Sequence, residues 1–328
     1  MSTNKTEFYE FLARLLIQRI NVDNKIFVVT LNDKVLSLPK EKLNLDHLEP
    51  CNHEEADTRM FLHAKHASDT GSLYVRIRSN DTDVIVIGIG IFEKLGLEEL
   101  GITFGTGKKQ QIVPIHTIAR NLGPSTCQVL LLFHSLTGCD STTGLKGIGK
   151  QTSYKAWLRI EPTIMSWMGN LVSSDLNTIQ LTASVESKEA EKFMCSVYHS
   201  SANSFYDARA KLFLQKLKGT PLMKLPMTSH SFINKMRRSV YQANLWGQCV
   251  TKIIEVPCAE DWGFKKVENN MLQFDWGTQK DLISAKKWDT FRKCECTTEC
   301  TTNKRCTCYK EPVLRCTTRC KCKCPTML

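Results

Sequence analysis

The chain has 328 residues, enough for about two domains or for one large domain and a small module. Apolar residues make up 42% and charged residues 23%, an ordinary globular balance that excludes collagenous, coiled-coil and disordered chains. Lys and Arg outnumber Asp and Glu by 44 to 33, and the net charge of +11 points either to an acidic partner, nucleic acid above all, or to a merely solvated basic surface.

The longest apolar run, Val84 to Phe92, has nine residues, against the roughly 20 that span a bilayer. The opening Met1-Ser2-Thr3-Asn4-Lys5 is polar and no apolar signal segment follows, so neither membrane insertion nor export is expected. Residues 1–50 read as a helix from Phe8 to Ile20 and two short strands, Lys25–Leu31 and Lys34–Leu38. Asp23, Asp33 and Asp46 fall in turn-like contexts, where aspartate bonds its local backbone.

Three acidic groups come next. His53-Glu54-Glu55-Ala56-Asp57-Thr58-Arg59 leads into apolar spacing at positions 56, 60, 64 and 67, which predicts a helix. Glu55 and Asp57 then lie in its first turn, where the helix dipole favours acids, so plain capping competes with chemistry. The zinc motif H-E-x-x-H fails, because position 57 is Asp. Leu73 to Ser79 alternates like a strand, and Asp81 and Asp83 follow at its C-terminal end, the edge where open α/β sheets bind ligands. Val84 to Ile87 fits either a strand or the buried first turn of a helix. A helix from Cys127 to Leu136 precedes Gly138-Cys139-Asp140, and Gly144 to Lys150 forms a glycine-rich hairpin able to turn backbone N–H groups toward a phosphate. A nucleotide loop is rejected there, since Gln151 stands where Ser or Thr is required and no strand leads in.

In this order the motifs resemble the internal and C-terminal core of flap endonuclease/XPG-type 5′ nucleases, members of the PIN-like superfamily, from Cys51 to about Trp157. The resemblance implies catalytic roles for the paired acids Glu55 and Asp57, the second pair Asp81 and Asp83, and Asp140. It implies DNA-backbone contacts from Gly147, Ile148, Gly149 and Lys150 in a helix-hairpin-helix. It also implies two Mg²⁺ or Mn²⁺ ions and two-metal phosphodiester hydrolysis, with Lys150 or Arg59 as candidates to clamp the phosphate. The family's first core strand and its early aspartate have no counterpart in residues 1–50, so the core is expected to be N-terminally incomplete. The chain is then either an active structure-selective nuclease or a truncated, inactive relative that binds without cleaving.

Residues 161–290 are expected to be mostly helical, with helices from Ser187 to His199 and Phe205 to Lys218 and a loop from Leu222 to His230. Arg209, Lys211, Lys216, Lys218, Lys224, Lys235, Arg237 and Arg238 face only Asp207 in sequence, which predicts a solvated helix face or a nucleic-acid surface. Trp246, Trp262 and Trp276 are expected in the core rather than against bases.

Of fifteen cysteines, nine crowd the C-terminus: Cys294, Cys296, Cys300, Cys306, Cys308, Cys316, Cys320, Cys322 and Cys324. Three tetrahedral zinc ions need twelve ligand positions, and six terminal plus three bridging thiolates supply them. A metallothionein-like or disulfide-linked tail is the competing reading. The spacing resembles the CXC domain of the tesmin/TSO1 family, which implies three zinc ions and DNA binding. Arg305 stands where that family carries a groove-entering Tyr, and Tyr309 follows the Cys-x-Cys pair, so both are candidate DNA contacts. Seven basic groups oppose three glutamates, and nine thiolates on three divalent ions remove three more charges, so the metallated module carries only about +1.

The expected architecture is α/β: an N-terminal remnant (1–50), a PIN-like core (51–160), a helical extension (161–290) and a zinc module (291–328). The expected partner is nucleic acid, DNA foremost, and the expected compartment is the nucleus or else the cytoplasm. The combination resembles multicopy animal proteins derived from mobile elements. The competing functions are a nuclease, a non-catalytic DNA binder and an interaction module in which zinc only holds the tail together.

Overall fold

The structure is a computed structural model that describes residues 2–20, 25–39, 44–173, 185–215, 224–268, 271–276, 296, 297, 299 and 321. The chain is mixed α/β and divides into two compact units. The first comprises Met1–Ser135, Met168–Asn177 and Val240–Pro257, and the second Leu136–Trp167, Thr178–Ser239 and Cys258–Leu328. Residues 51–160 therefore part at Ser135, within one helix.

In the first unit, helix α1 (Ser2–Arg19) precedes the antiparallel hairpin of β1 (Phe27–Leu31) and β2 (Lys34–Leu38). Asn32 turns it with φ +55°, a conformation that Asn tolerates better than most side chains. The buried Val35 of β2, Leu48, Cys51 and Leu62 join the hairpin to α2 (Ala56–Asp69) in one apolar cluster.

A strand–helix–strand unit carries the centre of the fold. Strand β3 (Tyr74–Arg78) leads through helix α3 (Thr82–Leu95) into β4 (Glu99–Phe104), which pairs with β3 in parallel. Strand β5 (Gln111–Pro114) then adds antiparallel to β4, giving the order β3-β4-β5 with β3 at an edge. The run Val84–Ile87 is the start of α3. The Asp81 carboxylate caps the first turn by accepting the Asp83 N–H at 2.8 Å, and local β-propensity does not decide the outcome. Val84, Ile87, Ile91 and Leu95 bury one face at helical spacing. Gly90 lets a neighbour approach, since a Cβ there would lie 2.5 Å from the Leu131 side chain. Leu131 belongs to α5 (Pro124–Thr137), which follows α4 (Ile115–Leu122) and contains the predicted helix from Cys127 to Leu136.

The second unit is mainly helical: α6 (Lys150–Trp157), α8 (Val185–Val197), α9 (Phe205–Gln215) and the start of α10 (Ser229–Gly247), with α7 (Pro162–Ser173) beginning in this unit and ending in the first. Phe205 and Phe232 meet edge to face at 5.2 Å within its core. A small hairpin of β6 (Phe264–Lys266) and β7 (Leu272–Phe274) closes it. The elements expected at Ser187–His199 and Phe205–Lys218 correspond to α8 and α9.

The basic stretch from Arg209 to Arg238 departs from the exposure its sequence predicts. Arg209, Lys235 and Arg238 are buried, so that stretch is neither a continuous solvated face nor a continuous nucleic-acid surface. Lys235 donates to the Thr143 carbonyl and Arg209 to that of Pro226. Arg238 donates to the carbonyls of Gly263 at 2.7 Å and Asp275 at 3.1 Å, and stacks on Phe274 with 4.9 Å to the ring centre. Trp246 and Trp262 are buried as expected, whereas Trp276 is exposed. Among the described residues no helix is long and apolar enough to cross a membrane. Eight of the cysteines assigned to zinc (Cys294, Cys300, Cys306, Cys308, Cys316, Cys320, Cys322 and Cys324), together with Arg305 and Tyr309, lie outside the described residues.

Candidate acidic site

Helix α2 leads through a short turn into β3, so its first turn lies at the end of the sheet where β3 finishes and α3 begins. That brings two helix N-termini, each bearing acids, to the C-terminal edge of the parallel pair.

A clasp of long sequence range sets the entry to α2. The Asn52 side chain donates to Ile254 O at 2.8 Å and accepts from Ile254 N at 2.8 Å, while the His53 ring meets Thr251 O at 2.7 Å. Burial lowers the His53 pKa, and the bond to the Thr251 carbonyl opposes that shift in part. Glu55 is the N-cap residue of α2, yet its side chain makes no capping bond. Its carboxyl keeps solvent access while facing crowded protein. Burial raises its pKa first, the charge of Asp57 raises it next, and Asp83 and Glu54 add to the shift. The Trp246 indole opposes this by favouring the anion, although its buried N–H completes no hydrogen bond of full geometry. Charges from its own helix and from the start of α3 thus bear on Glu55.

Asp81 and Asp83 have different tasks. Asp81 caps α3 with one oxygen, and its own N–H is held by Ser79 Oγ at 3.1 Å. Asp83 meets His134 Nε2 of α5 at 2.7 Å, with the two side chains 15% and 6% exposed. An ionised carboxylate only accepts, which places a proton on Nε2. The His134 ring packs against Trp246 at 5.9 Å between centroids, so the indole lies beside both Glu55 and the imidazole that holds Asp83.

His134 and Trp246 are the site residues that sequence reading missed. The one available signal for His134 is a single imidazole inside the apolar run Leu130-Leu131-Leu132-Phe133 and Leu136 of α5. Trp246 lies almost two hundred residues from Glu55, and nothing local marks it.

Asp140 and the hairpin residues Gly147, Ile148, Gly149 and Lys150 belong to the second unit. Asp140 is exposed on a turn fixed by the Cys139–Thr142 bridge. Gly138 enters that turn at φ +116°, and a Cβ there would sit 2.5 Å from Gly144 Cα, so only glycine fits. Gly147 has φ +79° beside the Lys224 stem, Ile148 N bonds Leu145 O at 3.1 Å, Gly149 is the N-cap residue of α6, and Lys150 opens that helix. Arg59 is directed elsewhere: it donates to Asn32 O and bears on His53 and His63.

Carboxylate oxygens are hard donors suited to Mg²⁺ or Mn²⁺, and the negative charge that Asp57 and Asp83 place on Glu55 fits a bound cation. Among the described residues no three His, Cys, Asp or Glu side chains already close on one point. No family model, curated protein or solved structure matches the chain.

Proposed function

We propose that the chain is a DNA-binding protein whose first unit carries a flap-endonuclease/XPG-like acidic centre for divalent-metal-dependent phosphodiester hydrolysis. The observation that carries this reading is the Glu55 carboxyl, which caps nothing at the start of α2 and on which the charges of Asp57 and of Asp83 at the start of α3 bear. Capping accounts for Asp81, but it does not account for a Glu55 carboxyl that caps nothing. Glu55, Asp57 and Asp83 would hold the metal, which supplies polarisation of the phosphoryl oxygen and a more acidic water. His134 fixes the Asp83 rotamer, and Trp246 shields one side of the site from water. The cysteine segment, read as a CXC module with three zinc ions, would add DNA affinity, and its charge of about +1 implies that further basic surface must share that task. Such a protein would act in the nucleus.

A second reading, a relative that binds DNA without turnover, is favoured by a separate observation. One oxygen of Asp81 is engaged by a backbone N–H and one of Asp83 by His134.

The test is cleavage of labelled flap, hairpin, single-stranded and duplex DNA in Mg²⁺ or Mn²⁺ by the full chain and by Asp57→Asn/Asp83→Asn. Cleavage abolished in the variant with DNA binding retained supports the nuclease. Equal cleavage by both proteins refutes the acidic centre, and binding without cleavage by the parent chain selects the second reading.

A further inference from the structure

On another side of α2 the first unit holds a cavity of about 740 Å³, within the range of small-molecule sites of roughly 300–1,000 Å³. Its walls come from α2 and from the outer edges of β1 and β3, strands that each pair on one side only. Val28, Met60, Val75 and Ile77 make much of that wall apolar. Arg59, His63 and His66 of α2 supply the polar part, Arg76 and Arg78 lie on β3, and among the described lining residues there is no Asp or Glu.

Two side chains that line this cavity carry buried nitrogens without hydrogen-bond partners. Arg59 commits Nη1 to the Asn32 carbonyl, while its Nε and Nη2 are buried and bond nothing. Those two atoms form the side-on fork of a guanidinium, which matches two oxygens of a carboxylate or phosphate. His66 is 7% exposed, and neither of its ring nitrogens has a hydrogen-bond partner. Burying such groups unpaired is unfavourable, and a turn of the Arg59 and His66 side chains into the cavity would let an anion complete them. His63 lies next to them with its Nε2 held by Thr30 Oγ1 at 2.7 Å. Burial, then Arg59, then His66 push its pKa down to about 4, so uncompensated positive charge is already disfavoured in the cavity.

We propose that this cavity binds a small amphipathic organic anion, its carboxylate or phosphate head on the Arg59 fork and His66, and its apolar body against β1 and β3. An inorganic ion would leave the apolar wall wet, and a neutral ligand would leave the guanidinium fork without oxygens. The site adjoins the first turn of α2 at Ala56 but is distinct from the acidic centre, because no carboxylate of that centre lines it.

The experiment follows the His63 and His66 ring resonances by NMR in the full chain, with no Mg²⁺ or Mn²⁺ added so that the acidic site plays no part. Phenyl phosphate, 3-phenylpropionate, inorganic phosphate and neutral benzyl alcohol are titrated in parallel. Expected is saturable binding of one or both organic anions, with the better of the two naming the head group, at least about tenfold tighter than inorganic phosphate or benzyl alcohol. Arg59→Lys keeps the charge and a donor toward Asn32 but loses the fork, and is expected to weaken binding on the order of tenfold. His66→Phe preserves bulk and is expected to weaken it several-fold. The proposal is overturned by no saturable response to either anion in the parent chain, by an equal response to benzyl alcohol, or by unchanged affinity in Arg59→Lys. Binding of an extended acidic peptide in the absence of small-anion binding would also overturn it, and would assign the open strand edges to a protein partner.

Discussion

Compared as sequence, the acidic starts of α2 and α3 and the basic helix α10 are of one kind: runs of charge that ordinary experience places in water. Their outcomes differ. The acids of α2 and α3 stay at a sheet edge with solvent access or partial cover. Lys235 and Arg238 of α10 are 3% and 1% exposed and are held by carbonyls from distant segments. The reason lies in reach. A short carboxylate at a helix start is served by the N–H groups of its own turn. A long cationic stem can cross a core and end on whichever carbonyls the fold leaves without partners.

Four measurements test that contrast, in order of decreasing effect. Arg238→Met leaves the Gly263 and Asp275 carbonyls without their donor and removes the cation from Phe274. A loss of about 4 kcal/mol is expected in urea unfolding, and a loss under about 1 kcal/mol would mean the guanidinium is no brace. Burial lowers the Lys235 pKa from 10.5 to about 8, helped by the charge of Arg238. The folded state then binds fewer protons than the unfolded one between those two values. Stability due to Lys235 therefore rises as pH climbs from about 8 toward 10.5, by roughly 3 kcal/mol, and is flat below that window. The difference in stability between the parent chain and Lys235→Met, taken at pH 7.5 and at pH 10.5, checks both the sign and the window.

On the acidic side, His134→Phe removes the donor to a mostly buried Asp83 and is expected to destabilise by about 2 kcal/mol at neutral pH. No change would show that solvent already serves that carboxylate. The smallest effect belongs to Glu55. Its raised pKa means that folding favours the protonated acid, so stability is lost as pH rises through the folded value. Glu55→Gln should raise the thermal midpoint at pH 7 but not at pH 4. Solvent access holds the gain below about 1 kcal/mol. Mn²⁺ should stabilise the parent chain and not this variant, if Glu55 is a ligand.

Much of the fold was legible because it rests on local rules. The helices around Phe8–Ile20, Cys127–Leu136 and Ser187–His199 follow apolar spacing, and the β1–β2 hairpin follows from two short strands around Asn32-Asp33. The segment Val84–Ile87 was ambiguous because its four β-branched residues suit either state, and the Asp81 cap with the face buried beyond Ile87 makes it helix. Within the candidate site, Glu55, Asp57, Asp81 and Asp83 could be read from motif order. The separate duties of Asp81 and Asp83 could not, since a cap and a cross-helix partner differ only in three dimensions.

Local sequence alone marks the four acids, the helix that begins beside Glu55 and Asp57 and the strand ahead of Asp81, because capping and periodicity act within a few residues, whereas the step from β3 through α3 to the parallel β4 needs the fold. Tertiary structure alone decided that His134 holds Asp83, that Trp246 lies beside Glu55, that the Asn52–Ile254 clasp sets the entry to α2, and that the cations of α10 are internal. Those contacts join residues 51 to 202 positions apart or depend on burial. No local pattern encodes which distant backbone carbonyl, imidazole or ring a side chain will meet once the core has closed.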